Sequence, residues 1–195
     1  MRWLVTGGCG FIGANLIADV RSTGGHGVRV LDDGSAAADS LRACGVDPGW
    51  LDLRQADVRD DAAVAEAAHG TDVIAHLASA TGVVRSLADP RGDASANVPG
   101  TLNVLEAARR TRARVVFVST TAPLVGDADQ IDEPTLPALR VPCGASKLAA
   151  EAYCPAYAAS FVVASCVLRL TNVYGRGGAH KTGAIGRLLA DGLTG

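Results

Sequence analysis

Residues 3–17, WLVTGGCGFIGANLI, constrain the fold more than any other stretch of the chain. A short apolar run of strand length meets a cluster of glycines, and an apolar stretch of helical period follows at once. Gly8, Gly10 and Gly13 satisfy G-x-G-x-x-G, while Gly7, Gly10 and Gly13 satisfy the wider G-x-x-G-x-x-G spacing. Without Cβ atoms at these places the chain can turn sharply, let a pyrophosphate approach the backbone, and pack helix closely on strand. The helix beginning at Phe11 and Ile12 then aims its unpaired N–H groups and positive dipole end at the phosphates. At the end of the second apolar run, VRVLDD, Asp32 is spaced to accept hydrogen bonds from the adenosine ribose hydroxyls and to repel a 2′-phosphate. Glycines alone make a turn. Strand, glycines, helix and acid in this order point to NAD(H) in preference to NADP(H).

The rest of the chain repeats the alternation of short apolar runs and alanine-rich helical stretches that builds a parallel sheet covered by helices. Strands are predicted near Trp3–Thr6, Val28–Leu31, Leu51–Ala56, Val73–His76, Val115–Ser119 and Val162–Arg169. Helices are predicted near Phe11–Arg21, Asp61–Ala68, Ala94–Arg110 and Gly144–Ala159, with a further one near Gly183–Ala190. Segments 34–50 and 121–143, rich in Gly, Pro and Asp, read as loops. The runs WLV, VIAHLA and VVFV are continuously apolar, as strands covered on both faces must be. The expected fold class is α/β: a Rossmann-type doubly wound parallel sheet, one domain over 1–177, with 178–195 a short tail in place of a substrate domain.

At 195 residues the chain can bury a core without a disulfide or metal staple. A net charge of -2 with both signs scattered along the chain argues against nucleic acid or an anionic membrane surface as a partner. The five cysteines are odd in number and contain no C-x-x-C pair, so reduced thiols are expected and no metal site is assigned. No cationic leader and no apolar stretch of about 18 residues is present, which suggests a soluble cytoplasmic protein. Lysine occurs only at Lys147 and Lys181.

Taken in order, TGGCGFIG at 6–13, VLDDGS at 30–35, ADVRD at 56–60, IAHLAS at 74–79, SLADP at 86–90, NVPGTLNVLEAAR at 97–109, VVFVSTTAPLVGD at 115–127, SKLAAE at 146–151 and LRLTNVYGRG at 168–177 cover nearly the whole chain. So arranged, they resemble the extended short-chain dehydrogenase/reductase superfamily in its NAD-dependent epimerase/dehydratase branch. The resemblance implies that Asp57 and Val58 lie against the adenine, that Leu77, Ala78 and Ser79 follow the cofactor phosphates and ribose, and that Asn97 helps to fix the active-site helix. It also implies a small-molecule substrate such as a nucleotide sugar, and a homodimer seam along the two long helices. Asp57 has an alternative role as the N-cap of the following helix. His76, inside an apolar strand, reads as a core histidine.

One departure matters most. The family uses a Tyr-x-x-x-Lys pair on one helix and a Ser or Thr after the fifth strand. SKLAAE puts Lys147 at the lysine position, and four residues earlier stands Cys143, not tyrosine. Counting back from Val125-Gly126-Asp127 puts Thr121 at the hydroxyl position, with Ser119 and Thr120 beside it. Spacing of four sets Cys143 and Lys147 on one helix face. A thiol is intrinsically more acidic than a phenol, so its limitation is reach: the sulfur sits one carbon from the backbone. Cys143 is therefore either an acid/base group or a small filler where a catalytic residue was lost. Lys147 keeps a use in both cases, because in the family it also binds the nicotinamide ribose. Family members also run on for a hundred or more residues beyond the TNVYGRG position. An altered redox enzyme, a non-redox enzyme on the same fold and a nucleotide-binding pseudo-enzyme all remain open at this point.

Overall fold

The computed structural model describes residues 1–35, 39–121, 130–178 and 192. Six parallel strands form one sheet in the order β3-β2-β1-β4-β5-β6. The strands are β1 (Arg2–Thr6), β2 (Gly27–Asp32), β3 (Asp52–Gln55), β4 (Val73–His76), β5 (Arg114–Thr120) and β6 (Ser165–Leu170). The helices are α1 (Phe11–Ser22), α2 (Asp39–Ala43), α3 (Asp61–Ala68), α4 (Val83–Ala88), α5 (Pro90–Thr111) and α6 (Pro142–Phe161). The chain runs outward from β1 to β3, returns to β4 on the other side of β1, and continues outward to β6. The reversal between β1 and β4 is the topological switch point at which open α/β sheets bind ligands.

Alternation along the central strands fills two cores. Leu4, Leu31 and Ile74 point into a cluster under α3, α5 and α6, together with Phe117, Val104 and Ala150. Their neighbours Val5, Val30 and Ala75 point the other way, toward Ile17, Leu41 and Cys44 of the α1 and α2 region. Both faces of β1 and β4 are thus dry, which is why their sequences are apolar without a break. Register places Thr6 opposite both Leu31 and His76. The carboxyl ends of the three strands that meet the glycine turn are therefore level.

Several boundaries differ from the sequence expectation, each for a local reason. Segment 34–50 is not all loop: α2 forms there, burying Leu41, and Pro48–Trp50 makes a 3-10 turn capped by Asp47. Helix α5 starts at Pro90 and not at Ala94, because the Asp89 carboxylate accepts from Gly92 N–H (2.9 Å) and proline takes the first helical position, where its missing N–H costs nothing. Helix α4 forms within a stretch with no expected element. The expected helix at 183–190 and part of the 121–143 loop lie outside the described residues.

The sixth strand begins at Ser165, three residues later than expected, since Val162 caps α6 in the left-handed conformation (φ 60°). A β-branched residue is strained there, and Val162 is 89% exposed, so its side chain gains little in return. Val162→Gly is expected to stabilise the protein by about 1 kcal/mol, read as a rise of roughly 2–4 °C in melting temperature.

Candidate dinucleotide-binding and active site

The glycine turn is built as a cradle. Gly7 has φ +69°, and a Cβ there would stand 2.7 Å from the Ala78 nitrogen. A Cβ on Gly13 would stand 2.6 Å from both Gly7 O and Gly8 Cα, so α1 touches the turn backbone to backbone. At Gly10 the space is different: apart from Gly7 O at 3.2 Å, nothing lies near the added carbon. Gly10 is also the N-cap of α1 and offers no side-chain cap to the first-turn amides of Phe11, Ile12 and Gly13. An open concavity lined by uncapped N–H groups, with no Cβ in it, fits the pyrophosphate of a dinucleotide.

Asp32 closes one side of this cradle. Its Oδ2 accepts from Cys9 N–H (2.9 Å) and its Oδ1 from Gly34 N–H (3.0 Å), so the carboxylate ties the glycine turn to the end of β2. Burial pushes the Asp32 carboxyl upward, and the two backbone N–H bonds oppose that. Burial, with Asp32 alongside, pushes the Cys9 thiol up to about 11 and leaves it a packing group.

Residues 77–79 lie beside the cradle. Leu77 N–H donates to Thr6 O (3.1 Å) and Ala78 N–H to Thr6 Oγ1 (3.3 Å), which brings the segment carrying Ser79 against Gly7. On the far side, Val58 is buried, with its carbonyl accepting from Asn103 Nδ2 (3.0 Å). Asp57 does not cap α3; Asp60 does, accepting from Ala63 N–H (3.0 Å). The capping alternative fails because α3 starts one turn later. Asp57 instead forms a tight ion pair with Arg59, which holds its carboxyl below the ordinary range.

The three candidate catalytic residues come from the ends of β5 and α6. Thr121, 7% exposed, follows β5 and pairs its N–H with Leu170 O (3.0 Å), while among the described residues its hydroxyl makes a long 3.4 Å contact to the same oxygen. Lys147, 8% exposed, donates from Nζ to Val118 O (3.0 Å), with Nζ 5.1 Å from the Phe117 ring centre. Cys143, also buried, lies about one helical turn before it, roughly 6 Å along α6 toward its start at the carboxyl end of the sheet. Thr121 is three residues beyond Val118 in the same direction. Tyr153 and Tyr157 are not part of this group: Tyr153 is 39% exposed, and Tyr157 donates to Glu106 Oε1 of α5 (2.9 Å).

Burial brings the Lys147 ammonium down from 10.5 to about 8. The unfolded chain keeps that proton more readily, so the buried lysine costs stability at every pH below about 8, and the cost fades between 8 and 10.5. Lys147→Met is expected to stabilise the ligand-free protein by up to about 3 kcal/mol at pH 7. In thermal melts the gain should shrink above pH 10, the mark of a lysine kept for function at a cost in stability.

A buried polar chain joins the cradle to α6; Asn97 meets that helix as the resemblance implies, and the other members were missed. Thr6 Oγ1 donates to His76 Nδ1 (2.7 Å). His76 Nε2 donates to Thr101 Oγ1 (3.0 Å), whose own proton goes to Asn97 O (2.6 Å); this chain of donors assigns the ring tautomer. Asn97 Nδ2 donates to Ser146 Oγ (2.8 Å), and Ser146 donates to Asp93 Oδ2 (2.5 Å). Burial, with the Lys147 charge nearby, depresses His76 to about 3, so it is a neutral core histidine. The signal was present in the spacing: Asp93, Asn97 and Thr101 recur every four residues on the face that also carries Val104 and Ala108.

Two clefts are found among the described residues, the first beginning at Phe11 and Ile12 beside the cradle. One of about 450 Å³ runs along α1 by Asn15, Leu16 and Tyr174, and one of about 420 Å³ lies between α6 and β6. Neither is lined by Cys143, Lys147 or Thr121.

A doubly wound sheet with a glycine cradle at its switch point and an acidic residue closing the second strand defines a dinucleotide-binding domain of the Rossmann type. Residues 3–195 match the model of the NAD dependent epimerase/dehydratase family, and the chain belongs to that family, whose cofactor is NAD. It is 34% identical over 181 residues to dTDP-glucose 4,6-dehydratase of Mycolicibacterium smegmatis, covering 90% of this chain and 54% of that protein. It is 37% identical over 182 residues to UDP-glucose 4-epimerase of the same organism, covering 90% and 57%. Among solved structures, dTDP-glucose 4,6-dehydratase DesIV of Streptomyces venezuelae with NAD bound superposes with a TM-score of 0.86 at 29% identity, over 100% of this chain and 62% of that one. The UDP-glucose 4-epimerase of Thermus thermophilus in complex with NAD gives 0.78 at 30% identity, over 92% and 60%. The chain thus spans just over half the length of the two curated relatives.

Proposed function

We propose that this chain forms the NAD(H)-binding core of an enzyme acting on a nucleotide sugar, with Cys143 at the position of the family's tyrosine. The observation that carries the proposal is Lys147: a buried lysine on a helix that starts at the same end of the sheet as the glycine cradle, with one proton on Val118 O and two left to donate. Those two protons suit the hydroxyls of a nicotinamide ribose. Bound NAD would supply a hydride acceptor and donor. Thr121 would hold a substrate hydroxyl or carbonyl through its weakly engaged Oγ1. Cys143 would hold or move a proton at Sγ, one helical turn from the Lys147 ammonium. Asp32 would bind the adenosine ribose, Asp57 and Val58 would flank the adenine, and Leu77–Ser79 would lie along the phosphates and ribose.

The nucleotide sugars named in the relatives, dTDP-glucose and UDP-glucose, are the first substrates to try. The protein purified in its native state should release NAD or NADH when denatured, as read by mass spectrometry. Incubation with either nucleotide sugar should give a 4-epimer or a 4-keto-6-deoxy product, seen by proton NMR. Bound NAD with no conversion of any nucleotide sugar would sink the catalytic part and leave a binding protein. We also propose a homodimer across α5 and α6, whose outer residues Tyr153 and Phe161 are 39% and 41% exposed. Light scattering showing a monomer at micromolar concentration would overturn it.

A further inference from the structure

Asp93 lies in the first turn of α5 and is 4% exposed. A carboxylate so buried is costly unless it is paired and hydrogen-bonded. Its side-chain partner is the Ser146 hydroxyl, which donates to Oδ2 at 2.5 Å. Ser146 sits between the two residues of interest on α6. Its Oγ lies 3.2 Å from the Cys143 carbonyl oxygen and accepts from Asn97 Nδ2 at 2.8 Å, and Lys147 is the next residue. One carboxylate and one hydroxyl thus clamp the start of α6 to α5 at the turn that carries both Cys143 and Lys147.

We propose that Asp93 is a positioning residue that acts through Ser146 to hold the first turns of α6 and sets its negative charge against the Lys147 ammonium. It rests on the reading that Lys147 serves the nicotinamide ribose. Burial drives Lys147 toward its neutral form, and the Asp93 charge opposes this. Among the described residues, the other groups named beside Lys147 are committed elsewhere or carry no charge. Glu151, one turn further along α6, is paired with Arg169 of β6. His76 of β4 is neutral. β5 supplies only the Val118 carbonyl and the Phe117 ring. Among the described residues, Cys143 stands one turn earlier on α6.

With only two lysines in the chain, a protein labelled with lysine carrying carbon-13 at Cε gives two side-chain NMR signals, and Lys147→Met assigns them. The native Lys147 midpoint is expected at about 8. Asp93→Asn should move it down by about one pH unit. The same variant should bind NADH about tenfold more weakly while binding ADP, which would use the glycine cradle, Asp32 and the adenine contacts at Asp57 and Val58 but lacks the nicotinamide ribose, as the native protein does. A Lys147 midpoint unchanged in an Asp93→Asn protein that still binds ADP overturns the proposal. If Asp93→Asn loses ADP binding as well, its fold is gone and Ser146→Ala decides, since it removes the clamp but keeps both charges. Weaker NADH binding with unaltered ADP binding supports the clamp, and unaltered NADH binding overturns it. Failure of the ribose reading is separate: Lys147→Met would then bind NADH as tightly as the native protein, whatever the midpoint does in Asp93→Asn.

Discussion

Gly10→Val is expected to abolish measurable NADH binding, a loss of at least about 100-fold in affinity, while leaving the melting temperature within a few degrees of the native value. Gly10 is extended (φ -71°, ψ 169°), a conformation valine adopts without strain, and the nearest obstacle to its Cβ is Gly7 O at 3.2 Å. The new side chain therefore has room in the ligand-free protein, and that room is the place where a pyrophosphate would meet the uncapped amides of α1. Gly13→Ala is the contrast. Its Cβ would stand 2.6 Å from backbone atoms of Gly7 and Gly8, so α1 must move off the turn, and both stability and binding should fall. Calorimetric titration with NADH and thermal melts on the two variants separate a blocked site from a broken one. NADH affinity unchanged in Gly10→Val would mean that the glycine turn does not hold the dinucleotide.

Much of this architecture was legible because it depends on patterns that local chemistry enforces. The buried strands had to be apolar on both faces, and WLV and VIAH are; the glycine turn had to lack Cβ atoms, and the clash distances at Gly7 and Gly13 state why. What escaped was set by tertiary contacts or by competing caps. Helix α5 was expected to start at Ala94, so Asp93 fell outside it and its buried face went unseen, although Asp89-Pro90 is a strong start signal. In the sequence ADVRDD, Asp57 suits a helix cap as well as an adenine contact. Only the backbone excludes the cap, giving the helix to Asp60 and turning Asp57 back on Arg59. At the active site the residue types were legible. Asn97 at the active-site helix follows from the resemblance, but its connection back through Thr101 and His76 to Thr6 was not legible, since those members lie on elements that only the folded chain brings together.

Replacing Cys143 by Ala, Ser and Tyr should produce the largest changes in turnover, and the three variants together decide what the thiol does. If the Cys143 sulfur carries the proton, Cys143→Ala lowers kcat by roughly 10²- to 10⁴-fold, the usual scale of general acid/base catalysis. Cys143→Ser should be nearly as poor despite its similar size, because a hydroxyl is far less acidic than a thiol. Cys143 is 6% exposed, so alanine leaves a small void and costs little stability compared with the expected change in rate. NADH affinity should hold within about twofold in the Ala variant, since ribose binding is assigned to Lys147 and not to the thiol. Cys143→Tyr separates filler from catalyst. A phenol at this position carries its oxygen across a ring, farther from the α6 backbone than a sulfur one carbon from it. If the thiol is only filler, Tyr should raise turnover of a nucleotide sugar above the native level, with Ala silent. If the thiol works at its own shorter reach, substrate must bind closer to α6, and Tyr should obstruct it, raising KM as kcat falls. Full activity in Cys143→Ala would remove the thiol from the mechanism and leave Lys147 and Thr121 to be tested alone.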